Sequence, residues 1–286
     1  MTKIISFVNQ KGGVGKTTSV INISAALAHT FNKNKKNKIL MLDMDPQANT
    51  SQIYTSTTDG DLSIYNLLVD EHQTKEKNKE IDMKTLIQTT YIENLDIIPS
   101  NVLLSSAEIE LVNIHGRETI LKRILKNNKD FLSKYDYIII DCQPSLGLLT
   151  INSIIAADYL MVPIHADVFS LTGLQLLSET IEKLQSIFEI NTTILGFFFT
   201  QVNQQETLFK EAFELCKNSY PNLLFNQFIR NNTAIDHANA TDQSVIHFAP
   251  NASSSKDYKQ LTKEFLSKIL FLYFYLFQTC LLYTSP

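Results

Sequence analysis

Residues 11–19 read Lys-Gly-Gly-Val-Gly-Lys-Thr-Thr-Ser and follow the apolar run Ile4, Ile5, Ser6, Phe7, Val8. Backbone N–H groups that wrap a triphosphate must point inward past no side chain, which Gly12, Gly13 and Gly15 permit. Lys16 is then placed to reach the β- and γ-phosphates and Thr17 to offer its hydroxyl to Mg²⁺, while a helix starting here turns its positive end toward the anion. The loop is expected to hold a nucleotide through Lys11, Gly12, Gly13, Val14, Gly15, Lys16, Thr17 and Thr18. A general phosphate loop carries glycine six residues before its lysine; this chain has Gln10 there and a second lysine, Lys11, at the loop's mouth. With Lys16 already on that side of the phosphate, the charge of Lys11 is available to a nucleotide held by a facing subunit. The two-lysine loop therefore predicts a dimer.

Two further sites end apolar runs in acids. Residues 42–49 read Leu-Asp-Met-Asp-Pro-Gln-Ala-Asn, at the C-terminal tip of a strand, where ligands collect in α/β sheets. Side chains alternate along a strand, so Asp43 and Asp45 fall on one side and are expected to face the phosphates together. Tyr137, Ile138, Ile139, Ile140 and Asp141 form a continuous apolar run capped by a carboxylate, as in a buried parallel strand that presents an acid to a metal shell. Asp141 is expected to hold Mg²⁺ through a water.

The elements that must position these groups alternate along the chain. Strand-like runs at 4–8, 39–42, 95–98, 137–140, 159–162 and 194–199 are interleaved with helical patterns at 16–29, 116–127, 171–188 and 208–218. The expected fold is α/β and P-loop NTPase-like, a mostly parallel central sheet with helices on both faces. Residues 32–37 read as a solvated turn, and the polar run 71–80 as an exposed insertion or helix–loop.

At its loop the chain resembles the ParA/MinD superfamily, whose deviant Walker A motif Lys-Gly-Gly-x-Gly-Lys-Thr-[Thr/Ser] matches residues 11–18 at every fixed position. Residues 43–49 resemble the superfamily's Asp-x-Asp-Pro-Gln-x-Asn, and 141–150 its Asp-x-x-Pro-Ser-Leu-Gly-x-Leu-Thr segment, which senses the γ-phosphate. The resemblance implies Mg-ATP hydrolysis with Lys11, Lys16 and Asp45 as catalytic residues: Asp45 orients the attacking water, and Lys11 acts across an ATP-sandwich homodimer. It places Thr17, Asp43 and Asp141 in the magnesium shell, Pro144 in the nucleotide-sensing loop, and Asn203, unless that is simply a turn residue, at the adenine. It also implies non-specific DNA binding, a ParB-type centromere-binding partner, and a cytoplasmic, nucleoid-associated role in plasmid or chromosome partition. The arginines that small ParA proteins use on DNA have no equivalents here, since Gln205 stands at the first position and the second falls near Thr233. Arg230, Lys259 and Lys263 are the substitutes, the lysines belonging to a row at 256, 259, 263 and 268 that reads equally as a solvated helix face. A MinD-like membrane-associated positioning ATPase and a synthetase of the same superfamily share the nucleotide motifs.

Composition narrows these classes. The 286 residues are 44% hydrophobic, enough for one large core, and residues 1–270 read as a single ATPase domain. Net charge is −4, so any nucleic-acid contact must come from a local patch. Cys142, Cys216 and Cys280 are too far apart for a Cys-x-x-Cys site, which argues against the cysteine-paired relatives. Residues 269–277 are wholly apolar and aromatic, and no charge follows Lys268. This tail, 271–286, is shorter than a membrane span and lacks a basic amphipathic face, so no stable membrane insertion is expected. Its end reads as translated adapter sequence, as a core or interface helix, or as an anchor.

Overall fold

The computed structural model describes residues 2–32, 35–56, 61–73, 82–167 and 170–283. Strands β1 (Lys3–Phe7), β4 (Ile39–Met44), β5 (Gln88–Thr89), β6 (Leu95–Ile98), β7 (Tyr137–Cys142), β8 (Tyr159–Ile164) and β9 (Thr193–Phe199) form one sheet in the order β5-β6-β4-β7-β1-β8-β9. All neighbours run parallel except β5, which pairs antiparallel with β6. Within residues 32–37, expected as a turn, β2 (Phe31–Asn32) and β3 (Lys35–Lys36) pair antiparallel, and residues 33–34 lie outside the described residues.

Alternation along the strands sorts the apolar residues onto two faces. Leu40, Leu42, Met44, Ile138, Ile140 and Cys142 pack on one side of the sheet, with α3 (Ile64–Gln73), α4 (Leu104–Glu110), α5 (Ile120–Asn127), the short α6 (Lys129–Leu132), α7 (Leu148–Ala156), α8 (Ser170–Phe188) and α9 (Thr207–Ser219). Ile5, Phe7, Ile39, Met41 and Ile139 pack on the other, with α1 (Lys16–Ala28), α2 (Asn49–Tyr54), α10 (Thr233–Asn239), α11 (Val245–Phe248) and α12 (Ser253–Tyr283). Buried on both faces, β4, β7 and β8 are apolar apart from Asp43 and Asp141, which stand near the C-terminal ends of β4 and β7.

The C-terminal elements complete the nucleotide edge. In α12, Tyr258, Leu261, Phe265 and Ile269 recur at three- to four-residue spacing and are buried against α1's side of the sheet. Gly196 lets the chain at 223–225 lie directly on β9, because a Cβ there would meet the Leu223 carbonyl at 2.4 Å. Phe197 N donates to Leu223 O (2.9 Å) and Ile229 N to Phe199 O (2.8 Å), so residues 223–231 extend the sheet beyond β9 toward the phosphate loop. The helix α12 continues past residue 270 to Tyr283; Leu270 and Phe271 are exposed, and the side chains from 273 onward, with the tail's last residues, lie outside the described residues. The polar run expected at 71–80 is described only as far as the end of α3.

Candidate nucleotide-binding and hydrolysis site

The loop between β1 and α1 lies at the C-terminal edge of the sheet. Gly13 and Gly15 both take φ of +74°, a left-handed backbone that a side chain would strain. The loop's carbonyls are drawn outward by polar side chains from distant strand ends. Thr200 Oγ1 donates to Val14 O (2.9 Å), Gln201 Nε2 donates to Gly13 O (2.9 Å), and His165 Nε2 lies 3.0 Å from the same oxygen. Fixing these carbonyls outward turns the intervening N–H groups toward the anion side, the arrangement a phosphate cradle requires. Asn9 anchors the loop's start, donating through Nδ2 to Pro163 O (2.8 Å) while its Oδ1 accepts from Lys11 N (2.9 Å).

The two lysines occupy different places. Lys16 is buried, donates to Lys11 O (2.9 Å), and burial lowers its pKa against the pull of Asp141. Lys11 has a side chain 52% exposed and forms an ion pair with Asp167, just after β8. The same loop therefore holds one ammonium inside the cradle and one at its rim.

Three carboxylates converge below the loop. Asp43 and Asp141 are register partners on β4 and β7, both fully buried, and burial raises the pKa of each, with mutual repulsion adding to the rise at Asp43. Asp141 Oδ2 accepts from Thr50 Oγ1 (2.7 Å), whereas Oδ1 is buried and lacks a partner; the Thr17 hydroxyl lies beside this carboxylate. An anionic oxygen orphaned in the interior next to a hydroxyl is a donor set that fits a hard divalent cation.

Asp43, expected in the metal shell, is hydrogen-bonded within the protein through both oxygens. Oδ1 accepts from Asp45 N (3.1 Å), and Oδ2 accepts from both Ser51 N (2.9 Å) and Ser51 Oγ (2.6 Å). Both of its oxygens thus accept hydrogen bonds from the protein, whereas Asp141 keeps one oxygen without a partner beside the Thr17 hydroxyl. Asp45, one residue past β4, is nearly buried and close enough to Lys16 and Asp141 to influence both. Its Oδ1 accepts from Gln47 N (2.9 Å).

A cavity of about 180 Å³ opens beside the loop, lined by Gly15, Thr18, Gln201, Asn231, Asn232 and Asp236 among others. Asn203 lines an adjoining cavity of about 440 Å³ that shares Arg230, Asn231 and Asn232 with this one. Asn203 serves the turn into α9: its Oδ1 accepts from Gln205 N (3.2 Å) and its Nδ2 donates to Glu206 (3.1 Å). Asn231 and Asn232, which the sequence patterns did not single out, line this cavity because the segment 223–231 carries them to the loop. The signal available was the Asn-Asn pair itself, just before a helix that Asn232 caps.

Pro144 is exposed in the loop that follows Asp141. Glu108 of α4 ties this loop down, accepting from Gln143 Nε2 (3.1 Å) at a point where a Cβ on Gly147 would lie 2.3 Å from the Glu108 carboxylate. A side chain at 147 would displace the Glu108 carboxylate from this contact.

The proposed DNA-contacting cations do not form one free surface. Arg230 is locked on Asp257, donating from Nη2 to Oδ1 (2.6 Å) and from Nε to Oδ2 (2.9 Å), and so joins the segment 223–231 to α12. Its guanidinium satisfies a nearly buried carboxylate. Lys259 donates to Pro250 O (3.1 Å), while Lys263 is exposed. Among the described residues, no helix is long and apolar enough to cross a membrane.

Comparison with known proteins agrees with this geometry. The AAA domain family AAA_31 matches residues 2–195. The sporulation initiation inhibitor protein Soj of Bacillus subtilis is 36% identical over 265 residues, covering 92% of this chain and 98% of that protein. The chromosome-partitioning ATPase Soj of Treponema pallidum is 34% identical over 268 residues, covering 94% and 98%. Among solved structures, a putative plasmid partition protein from Borrelia burgdorferi bound to AMPPNP superposes with a TM-score of 0.75 at 26% identity, covering 94% of this chain and 100% of that one. Full-length similarity, a two-lysine phosphate loop and two acid-tipped strands coincide: this chain belongs to the Soj/ParA family of P-loop ATPases.

Proposed function

We propose that the protein is a partition ATPase that binds Mg-ATP, dimerises around two nucleotides, and in that form holds DNA non-specifically until a ParB-type partner stimulates hydrolysis. The observation that carries this reading is the division of labour between the two lysines: Lys16 sits inside the cradle, and Lys11 stands half-exposed at its rim on Asp167. A rim lysine is available to a facing subunit's nucleotide once its ion pair with Asp167 is given up. The similarity to the two Soj proteins supports the partition role and a nucleoid-associated location.

The chain's own residues divide the chemistry. The amides of residues 12–18 and Lys16 hold the β- and γ-phosphates and favour the charge spread over the transferring group. Asp45 accepts a hydrogen bond from the attacking water and aims it. Thr17 and Asp141 would hold Mg²⁺, which, when bound, withdraws charge from the phosphate oxygens. Asn231, Asn232 and Gln201 border the base. The loop at 143–147, free to shift once the terminal phosphate leaves, passes the nucleotide state to α4 through Glu108.

DNA co-sedimentation with ATP, ADP or no nucleotide tests the reading. Binding is expected only with ATP, and with a shallow salt dependence, because each neutralised phosphate adds about −0.9 to the slope of log affinity against log salt and a chain of net charge −4 meets DNA only through a local patch. Equal binding in all three states, or none with ATP at low salt, would remove the DNA-switch function.

A further inference from the structure

Ser51 is a buried serine of α2 that no nucleotide motif includes, yet its hydroxyl stands between two loops of the site. It accepts from Ser100 N (2.8 Å), in the segment that follows β6, and donates to Asp43 Oδ2 (2.6 Å). Because the serine oxygen already accepts from a backbone N–H, its own proton is directed to the carboxylate. Asp43 also takes the Ser51 N–H, and its other oxygen takes the N–H of Asp45. Asp45 is fixed again by Gln47 N on its side chain and by Ala48 N on its carbonyl (both 2.9 Å), in a turn that ends with Ala48 at φ +53°. The segment 43–51 thus folds around one enclosed carboxylate.

We infer that Ser51 and Asp43 are positioning residues for hydrolysis: they hold the backbone of Asp45 so that its carboxylate meets the attacking water. The inference rests on reading Asp45 as the water-positioning group. A carboxylate with no exposed surface whose two oxygens accept three hydrogen bonds from one short segment defines that segment's geometry closely. A displacement of about 1 Å in a positioning group costs on the order of 10² in rate. The Ser100 contact adds a consequence. Movement of the segment after β6 is felt at Asp45 through a single hydroxyl.

The test is a double-mutant cycle on the full chain, with steady-state ATPase rates, affinity for a fluorescent ATP analogue and thermal melting measured for Ser51→Ala, Asp45→Ala and the double variant. Ser51→Ala is expected to lower kcat about 10- to 100-fold with KM and analogue affinity within twofold of the parent. In the Asp45→Ala background the same change is expected to have no further effect on kcat, since the group it positions is gone. Ser51→Thr, which keeps the hydroxyl, is expected to restore most of the rate. Unchanged turnover in Ser51→Ala overturns the inference. So does a loss that multiplies with that of Asp45→Ala, which is the mark of a merely structural role. Should Ser51→Ala fail to fold, Ser51→Cys keeps the volume, weakens both hydrogen bonds and carries the same expectations. Full activity in Asp45→Ala alone instead removes the reading of Asp45, an outcome distinct from failure at Ser51.

Discussion

The phosphate-loop edge and the α12 surface both gather charged side chains, but on opposite physical terms. At the loop, Lys16, Asp43, Asp45 and Asp141 sit together out of water, each held to backbone or hydroxyl groups. On α12, Lys256 and Lys263 stand in solvent, and Arg230, the cation best placed to reach out from the adjoining loop, is tied to Asp257. Desolvated charges interact strongly and non-additively, whereas solvated ones contribute small, screened increments. Single substitutions should therefore act by orders of magnitude in the first region and by modest increments in the second.

The largest effect is expected from Lys16→Ala. It removes a buried ammonium from the phosphates and should weaken ATP binding on the order of 10²-fold or more, read by titration with a fluorescent analogue. Retained affinity would break the contrast at its strong end. Asp45→Ala follows, with turnover lowered on the order of 10² while ATP still binds, so that the ATP-bound form accumulates on DNA. Unchanged turnover would move the water-positioning role away from β4's tip.

A third prediction uses the carboxylate cluster itself. Burial raises the pKa of Asp43 and Asp141, so as pH climbs out of the ordinary carboxylate range the folded protein keeps protons that the unfolded chain has released. Their contribution to the stability of the nucleotide-free protein accordingly falls toward neutral pH. Asp141→Asn removes one of the two charges and should raise the melting temperature at pH 8 in EDTA, while abolishing any stabilisation by Mg²⁺ with nucleotide. A variant that melts lower than the parent in EDTA, or keeps its response to Mg²⁺, contradicts the assignment of the orphaned oxygen to the cation.

At the weak end, Arg230→Gln and the pair Lys259→Gln with Lys263→Gln should separate. The arginine change leaves Asp257 without its partner and should cost about 1–2 kcal/mol of stability, a figure held down by the arginine's exposure. The lysine pair should leave melting unchanged and flatten the salt slope of DNA binding by less than about 2. A salt slope altered equally by Arg230→Gln in a fully stable protein would return that arginine to the DNA surface.

The same contrast explains what could be read in the chain. The phosphate loop, the two acid-tipped strands and the α/β alternation are contiguous strings whose chemistry is set by neighbours one to five residues away, and they stand where the pattern put them. What was hidden depends on contacts between distant residues. Thr200 and Gln201 are 186 and 188 residues from the carbonyls they hold. Alternation rightly put Asp43 near the site, but Ser51, a residue of the next helix, claims one of its oxygens and the Asp45 N–H the other. Arg230 looked free because its partner, Asp257, is 27 residues on in another element. Charge on a surface helix carries no sequence mark of being paired.

The account's central claim is that Lys16 serves its own nucleotide and Lys11 its neighbour's, and light scattering coupled to size exclusion tests it most directly. The parent should shift from monomer to dimer on adding Mg-ATP; Lys16→Ala should stay monomeric for want of nucleotide. Lys11→Ala should bind the analogue with near-parent affinity and yet stay monomeric. A Lys11→Ala protein that dimerises with ATP as the parent does would contradict the claim.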